Sequence, residues 1–108
     1  MSTYELSYYA PVGQHGTVGV FAGRALSAAV KHLKGKQHSD LLMIEATEYR
    51  GHKSTGKHVI YKMTTAYLNY VKTYRGYAFD CARNADAYIE AATCCLQTGK
   101  AVRFTFPV

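Results

Sequence analysis

Residues 75–106 place the strongest constraint on the fold, because they predict a strand, a helix and another strand in direct succession. Aromatic and small side chains alternate from Tyr77 to Cys81, which is typical of a half-buried strand. Asn84 stands where a helix N-cap is expected, and apolar residues then recur at spacings of three and four until Gly99 ends the helix. Alternation returns over residues 102–106, which predicts a final strand.

The remainder of the chain predicts four more strands and two more helices. The strands are expected at Thr3–Tyr9, Thr17–Phe21, Leu41–Tyr49 and His58–Met63, and one helix at 22–33. The last two of these strands form a long hairpin. Residues 64–74 place apolar side chains on one helical face, with Thr64 or Thr65 as cap, although their aromatic and β-branched content also permits a strand.

The predicted order of elements, β-β-α-β-β-α-β-α-β, indicates an α+β fold. We expect a mixed, largely antiparallel sheet with two or three helices packed on one face, which makes a two-layer sandwich. A chain of 108 residues is long enough for one hydrophobic core. No linker divides it, so residues 1–108 are expected to form a single α+β domain.

The formal net charge of +6 is the strongest bias in the composition. Such an excess favours a nucleic acid or an acidic protein surface as the partner. No segment is apolar for long enough to span a membrane, and no charged-then-apolar leader opens the chain. We therefore expect a soluble protein that has no membrane partner.

The cysteines of the chain are Cys81, Cys94 and Cys95. An odd number with two adjacent does not suit a secreted disulfide framework, and no C-x-x-C pair is present. We interpret them as reduced residues of a cytoplasmic protein. The histidines and carboxylates form no cluster with metal-ligand spacing, so neither a metal nor another cofactor is predicted.

Residues 50–58, RGHKSTGKH, form a polar, glycine-bounded loop. From Gly51 onward the loop nearly matches the phosphate-binding pattern G-x-x-x-x-G-K-[ST], but His58 replaces the hydroxyl that helps hold magnesium. No helix follows, so nucleotide hydrolysis is not predicted. The loop predicts either a solvated turn or a mobile basic hairpin tip for phosphate contact. That tip would carry Arg50, His52, Lys53, Lys57 and His58.

Arg75–Phe79, RGYAF, predicts a second nucleic-acid contact. The string resembles the first five positions of the RNP1 signature of RNA-recognition motif domains, where a basic residue and strand aromatics contact bases. The resemblance implies that Arg75 and Tyr77 contact nucleic acid, with Lys72 nearby. Asp80 and Ala82 depart from the signature, which has aliphatic and aromatic residues there. The alternative is an ordinary strand whose aromatic side chains face the core.

Ten tyrosines and no tryptophan supply large side chains with a polar tip, which suit protein interfaces and base stacking alike. Tyr67 and Tyr70 are predicted to be core residues because they share the apolar helical face of residues 64–74. The tyrosines expected to be exposed are Tyr8, Tyr9 and Tyr49. Tyr74 remains open between the two environments.

These features predict a small, non-enzymatic protein that binds RNA, single-stranded DNA or a nucleoprotein through the hairpin. One alternative is a protein-interaction module, such as a phage or mobile-element inhibitor that docks on an acidic host protein. Another is a nuclease that uses His52 and His58 as acid and base. A homodimer is expected if Thr3–Tyr9 or Lys100–Phe106 lies at a sheet edge.

Overall fold

The computed structural model describes residues 2–35 and 40–107, which form one sheet and four helices. This confirms the predicted α+β class. In chain order the elements are β1 (Ser2–Ala10), β2 (Gln14–Ala22), α1 (Gly23–Leu33), β3 (Met43–Arg50), β4 (Lys53–Met63), α2 (Thr65–Thr73), α3 (Arg75–Ala78), α4 (Ala82–Thr98) and β5 (Val102–Thr105).

The strands lie in the order β2-β1-β3-β4-β5, and every neighbouring pair is antiparallel. The sheet is therefore wholly antiparallel rather than mixed. Hairpins join β1 to β2 and β3 to β4, and antiparallel strands need no crossover between them. The two edges are β2 and β5. The predicted edge at Lys100–Phe106 is thus confirmed, whereas the alternative at Thr3–Tyr9 is wrong because β1 lies inside the sheet.

Alternation along β1 and β3 builds a separate core on each face of the sheet. On one face, Leu6, Ile44 and Ala46 are fully buried. The apolar stripe of α1 packs on them through Leu26, Val30 and Leu33. We call this side the α1 face.

The opposite side, which we call the α4 face, carries α2 and α4. Its core is formed by Tyr9, Met43 and Ile60 from the sheet with buried residues of both helices, chiefly Tyr67, Leu68, Val71, Tyr88, Ala92 and Cys95. The two or three helices predicted on one face of the sheet correspond to α2, α3 and α4. Helix α1 adds a third layer, because an apolar stripe shows that a helix is packed but not on which face.

The strand predicted from Tyr77 to Cys81 is wrong. Residues 75–78 form the single turn of α3, in which the Ala78 amide donates to the Tyr74 carbonyl at 3.0 Å. In the segment from Tyr77 to Cys81, the ring of Phe79 packs against those of Tyr88 and Phe106, whereas Tyr77 is 92% exposed. A strand requires a partner, and β5 already occupies the free edge of β4. The RNP1-like string consequently does not lie on a strand.

The helix boundaries confirm two predicted end residues and correct a third. Thr64 caps α2 by accepting a hydrogen bond from the Tyr67 amide, so the segment predicted at 64–74 forms a helix over Thr65–Thr73, and Gly99 ends α4 with a φ of 69°. Asn84 is not the N-cap, because α4 begins at Ala82 after Cys81. The Asn84 side-chain oxygen is instead buried without a hydrogen-bond partner among the described residues.

Ala46→Leu tests the packing of α1 on the sheet. Ala46 is fully buried between the sheet and α1, so three added carbon atoms have no space there. We expect a loss of about 1–3 kcal/mol in the free energy of unfolding, measured by urea denaturation. Ala82→Leu at the exposed start of α4 is the control and should change it by less than about 0.5 kcal/mol. An unchanged Ala46→Leu protein would contradict this packing.

Candidate nucleic-acid interface

The β3–β4 hairpin is tighter than the sequence predicted. Arg50 pairs directly with Lys53, so Gly51 and His52 alone form the turn. Gly51 has a φ of 62°, which a two-residue hairpin turn requires and which glycine adopts without strain. The predicted loop over residues 50–58 is therefore wrong from Lys53 onward, where the chain is already part of β4.

The hairpin cations continue onto an open part of the α1 face. Val59 pairs with Ala46 on that face, and Arg103 of β5 pairs with Val59. Lys57 and Thr105 form the next pair two residues along, so their side chains point to the same side. Helix α1 packs on β1 and β2, and Lys57, Arg103 and Thr105 are exposed to the solvent while Val59 between them is buried.

We call the exposed cations of this region the basic hairpin surface: Arg50, His52, Lys53, Lys57 and Arg103. Lys57 and Arg103 line a shallow cleft of about 180 Å³ that also includes Tyr4 and Glu48. Arg103 was not predicted as a site residue. Its alternation within β5 indicated an outward side chain, but the pairing of β5 with β4 is not visible in the sequence.

Glu48 lies beneath the basic hairpin surface and is almost completely buried. Its carboxylate accepts hydrogen bonds from the Thr55 hydroxyl at 2.7 Å and the Tyr4 hydroxyl at 2.8 Å. These bonds, with nearby Lys57 and Arg50, lower the pKa of Glu48. Its oxygens are thus held by hydroxyls, and none of the surrounding cations forms an ion pair with it among the described residues.

The second predicted patch is separate from the hairpin. Lys72 is exposed at the end of α2, and α3 carries Arg75 and Tyr77, all in the helical layer of the α4 face. Arg75 forms an ion pair with Asp86 of α4. The structure therefore does not join these residues to Arg103 on the α1 face.

The tyrosines divide differently from their predicted environments. Tyr67 is buried as predicted, but Tyr70 is 37% exposed, so its assignment to the core is wrong. Tyr9 was expected at the surface and is buried, with its ring 5.2 Å from that of Tyr70. The predicted face of α2 is rotated, because Leu68 takes the buried position next to Tyr67.

The two histidines of the alternative nuclease site have different surroundings. His52 is exposed in the turn, whereas His58 lies on the α4 face and stacks on Phe104 with ring centroids 5.5 Å apart. Phe106 also contacts the imidazole, and Thr47 is hydrogen-bonded to its Nδ1 at 3.2 Å. Burial lowers the pKa of His58 to about 4, so the ring is neutral at pH 7.

Polar side chains lie together in the core on the α4 face. The Tyr88 hydroxyl donates to Glu45 at 2.6 Å, and Tyr67 lies close to both. Tyr67 in turn lies 3.2 Å from Nε2 of His15 near the surface. Burial raises the pKa of Glu45, and the bond from Tyr88 opposes that shift only in part. The Tyr88 hydroxyl thus gives the Glu45 carboxylate a hydrogen-bond partner beneath α4, which apolar packing alone would not supply.

The described residues contain neither a candidate metal site nor a candidate membrane-spanning helix. Residues 2–35 and 40–107 contain no group of three or more histidine, cysteine or acidic side chains placed to hold a metal ion. Within the same ranges, no helix has the length and apolar character needed to cross a membrane. No protein-family model, curated protein or solved structure matches this chain.

His58→Phe tests the environment of the buried imidazole. Because the folded-state pKa of His58 lies below its unfolded value near 6.5, the neutral form stabilises the fold above that value, and this stability is lost as pH falls towards 4. The variant keeps a ring against Phe104 but cannot titrate. We expect melting temperatures measured from pH 7 to pH 4 to fall less steeply than in the unmodified protein.

His52→Gln is the matched control for the titration of His58. His52 is exposed in the turn, so its replacement should leave the decline in melting temperature unchanged. If His52→Gln flattens the decline and His58→Phe does not, the environment assigned to His58 is incorrect.

Glu45→Gln tests the buried carboxylate in the opposite direction. The raised pKa of Glu45 means that its ionisation opposes folding, so its contribution is lost as pH rises through the folded-state pKa. Glutamine still accepts from Tyr88 and carries no charge. The melting temperature of the variant relative to the unmodified protein should increase from pH 4 to pH 7, whereas Glu90→Gln at an exposed position of α4 should show no such trend.

Proposed function

We propose that this protein binds single-stranded nucleic acid through its basic hairpin surface. The observation that carries the proposal is the grouping of Arg50, Lys53, Lys57 and Arg103 on one exposed surface without an ion pair among the described residues. Glu48 is the carboxylate beneath them, and its oxygens are engaged by Tyr4 and Thr55. The cations are therefore available to a partner that brings several negative charges in a row.

A single strand suits this surface better than a duplex. The open part of the α1 face includes the half-buried rings of Tyr4 and Tyr61 beside Arg103. Unstacked bases pack on aromatic and guanidinium planes, while phosphates contact lysine and arginine. Binding by phosphate contact and stacking has little dependence on sequence, so RNA and single-stranded DNA are both expected ligands.

The proposal describes binding without catalysis, in a cytoplasmic protein. Reduced cysteines support that location, since Cys81, Cys94 and Cys95 are all free. The neutral, stacked state of His58 favours binding over the alternative nuclease. Labelled RNA and single-stranded DNA should therefore stay intact during long incubation with the protein, with and without divalent metal, and cleavage that disappears in His52→Ala would support the nuclease instead.

Lys57→Ala and Arg103→Ala test the nucleic-acid proposal directly. Each should weaken binding to labelled single-stranded RNA and DNA in fluorescence anisotropy. Each should also reduce the slope of log K against log salt by about 0.7, which is the effect of one lost phosphate contact on a single strand. Arg103→Ala is the more informative of the two, because Arg103 reaches the hairpin surface only through the pairing of β5 with β4.

Lys31→Ala is the control for charge alone. Lys31 is exposed on α1, away from the hairpin, and its replacement changes the net charge by the same amount. It should leave both affinity and salt slope unchanged. Absence of binding at low salt, or equal effects of all three substitutions, would contradict the proposal.

A second candidate function rests on the exposed tyrosines of α2 and α3. The ring centroids of Tyr70 and Tyr74 lie 5.1 Å apart. Tyr77, in the adjoining helix α3, is almost fully exposed to the solvent. Clustered tyrosines with Lys72 nearby suit an acidic protein surface, as an inhibitor of phage or mobile-element type would require. A partner captured after nuclease digestion, and lost in Tyr74→Ala and Tyr77→Ala, would favour this function over nucleic-acid binding.

A further inference from the structure

The edge strand β2 lacks the charged side chains and proline that commonly protect a sheet edge, and its one irregularity is a bulge at Val18. It is nine residues long and contains no lysine, arginine, aspartate, glutamate or proline. Native sheets usually protect such an edge with charged side chains, proline or a covering element. The side chain of Val20 is 62% exposed on this strand, and that of Val18 is also exposed. The outer backbone groups of β2 are thus open to pairing with another strand.

An apolar groove runs beside this edge on the α1 face. It has a volume of about 630 Å³ and lies between β2 and α1. From β2 it is lined by Val18 and Phe21, and from α1 by Ala25, Ala28, Ala29 and His32. Apart from His32, the helix therefore presents small alanine side chains to the groove at the edge of the sheet.

The positive charges of α1 lie outside the groove. At 100° per residue, Ser27 and Lys34 project from the flank opposite Ala25, and Arg24 and Lys31 project to the solvent on either side of Ala28 along the helix. The molecule has a net charge of +6, yet neither β2 nor the lining of the groove contains a lysine or arginine. A surface that meets a second copy of itself brings like residues together across the symmetry axis, so the absence of charge is what such a contact requires.

We propose that β2 pairs antiparallel with β2 of a second copy of this chain, and that the alanine flanks of the two α1 helices pack against each other. The pairing would make one continuous ten-stranded sheet, since each copy contributes five strands. The contact is isologous, which closes the assembly at a dimer. It is independent of the basic hairpin surface, which lies on β3, β4 and β5 in the other half of the sheet.

Simple geometry supports the contact between the helices. Helix α1 packs on both β1 and β2, so its axis lies above the gap between these strands. With about 4.8 Å between strands, that axis would lie about 4.8 Å from a twofold axis placed between the paired β2 strands. The two α1 helices would then be about 9.6 Å apart, within the roughly 8–10 Å of packed helices. Alanine on the facing flanks fits this separation.

Sedimentation velocity over a concentration series tests the dimer with two substitutions. Ala28→Arg places a charge on the groove flank of α1, and Val20→Lys places one on the edge strand. Both positions are exposed, so circular dichroism should show that both variants remain folded. The unmodified protein should sediment as a dimer, and each variant should weaken dimerisation by about tenfold or more, because each brings like charges together across the symmetry axis.

Two matched controls identify the surface. Ser27→Arg adds the same charge to the opposite flank of α1, and Val12→Lys adds it to the β1–β2 turn, where Val12 is 83% exposed. Both should remain dimers. A monomer at every concentration would overturn the proposal, and so would a dimer that persists in Ala28→Arg and Val20→Lys. A dimer lost equally in the controls would show only that added charge prevents association, which would also overturn it.

Discussion

The antiparallel pairing of β1 with β3 is the contact on which the rest of the structure depends. In this register Leu6 lies beside Ala46 and Tyr9 beside Met43, so the two strands present apolar side chains to both faces. A shift of one residue would exchange the faces and place Glu45 under α1. Because both cores are built on the same two strands, α1 and the α2–α4 layer are held in one unit although they lie on opposite sides.

The parts of the fold that were predictable from the sequence are those whose signals are local in the chain. Alternation over residues 2–10 and 43–63 is local, so the strands and their hairpin were predictable, as were the end of α4 at Gly99 and the cap at Thr64. The segment from Tyr77 to Cys81 has the same alternation but pairs with no strand, since β5 occupies the edge of β4, and α3 forms there instead. The face chosen by α1 and the burial of Tyr9 depend on contacts far apart in the chain, which periodicity does not encode.

The candidate site shows the same division between local and long-range information. Arg50, Lys53 and Lys57 lie near each other in the sequence, and a basic hairpin could be predicted from them. Arg103 and Tyr4 reach the same surface only through the pairing of β4 with β5 and of β1 with β3. Glu48 looked like one more residue of an alternating strand, yet its buried carboxylate holds Tyr4 and Thr55 in place beneath the cations.

The distribution of charge links the hairpin surface with the opposite edge of the sheet. A chain with a net charge of +6 repels its own copies wherever its cations meet. Here the cations of the described strands lie on β3, β4 and β5, while β2 and the lining of the apolar groove carry none. Pairing of two copies through β2 would therefore place the two basic hairpin surfaces at opposite ends of one continuous sheet. A flexible single strand that spans both would be held by two sites, and the second contact would form at a high effective concentration.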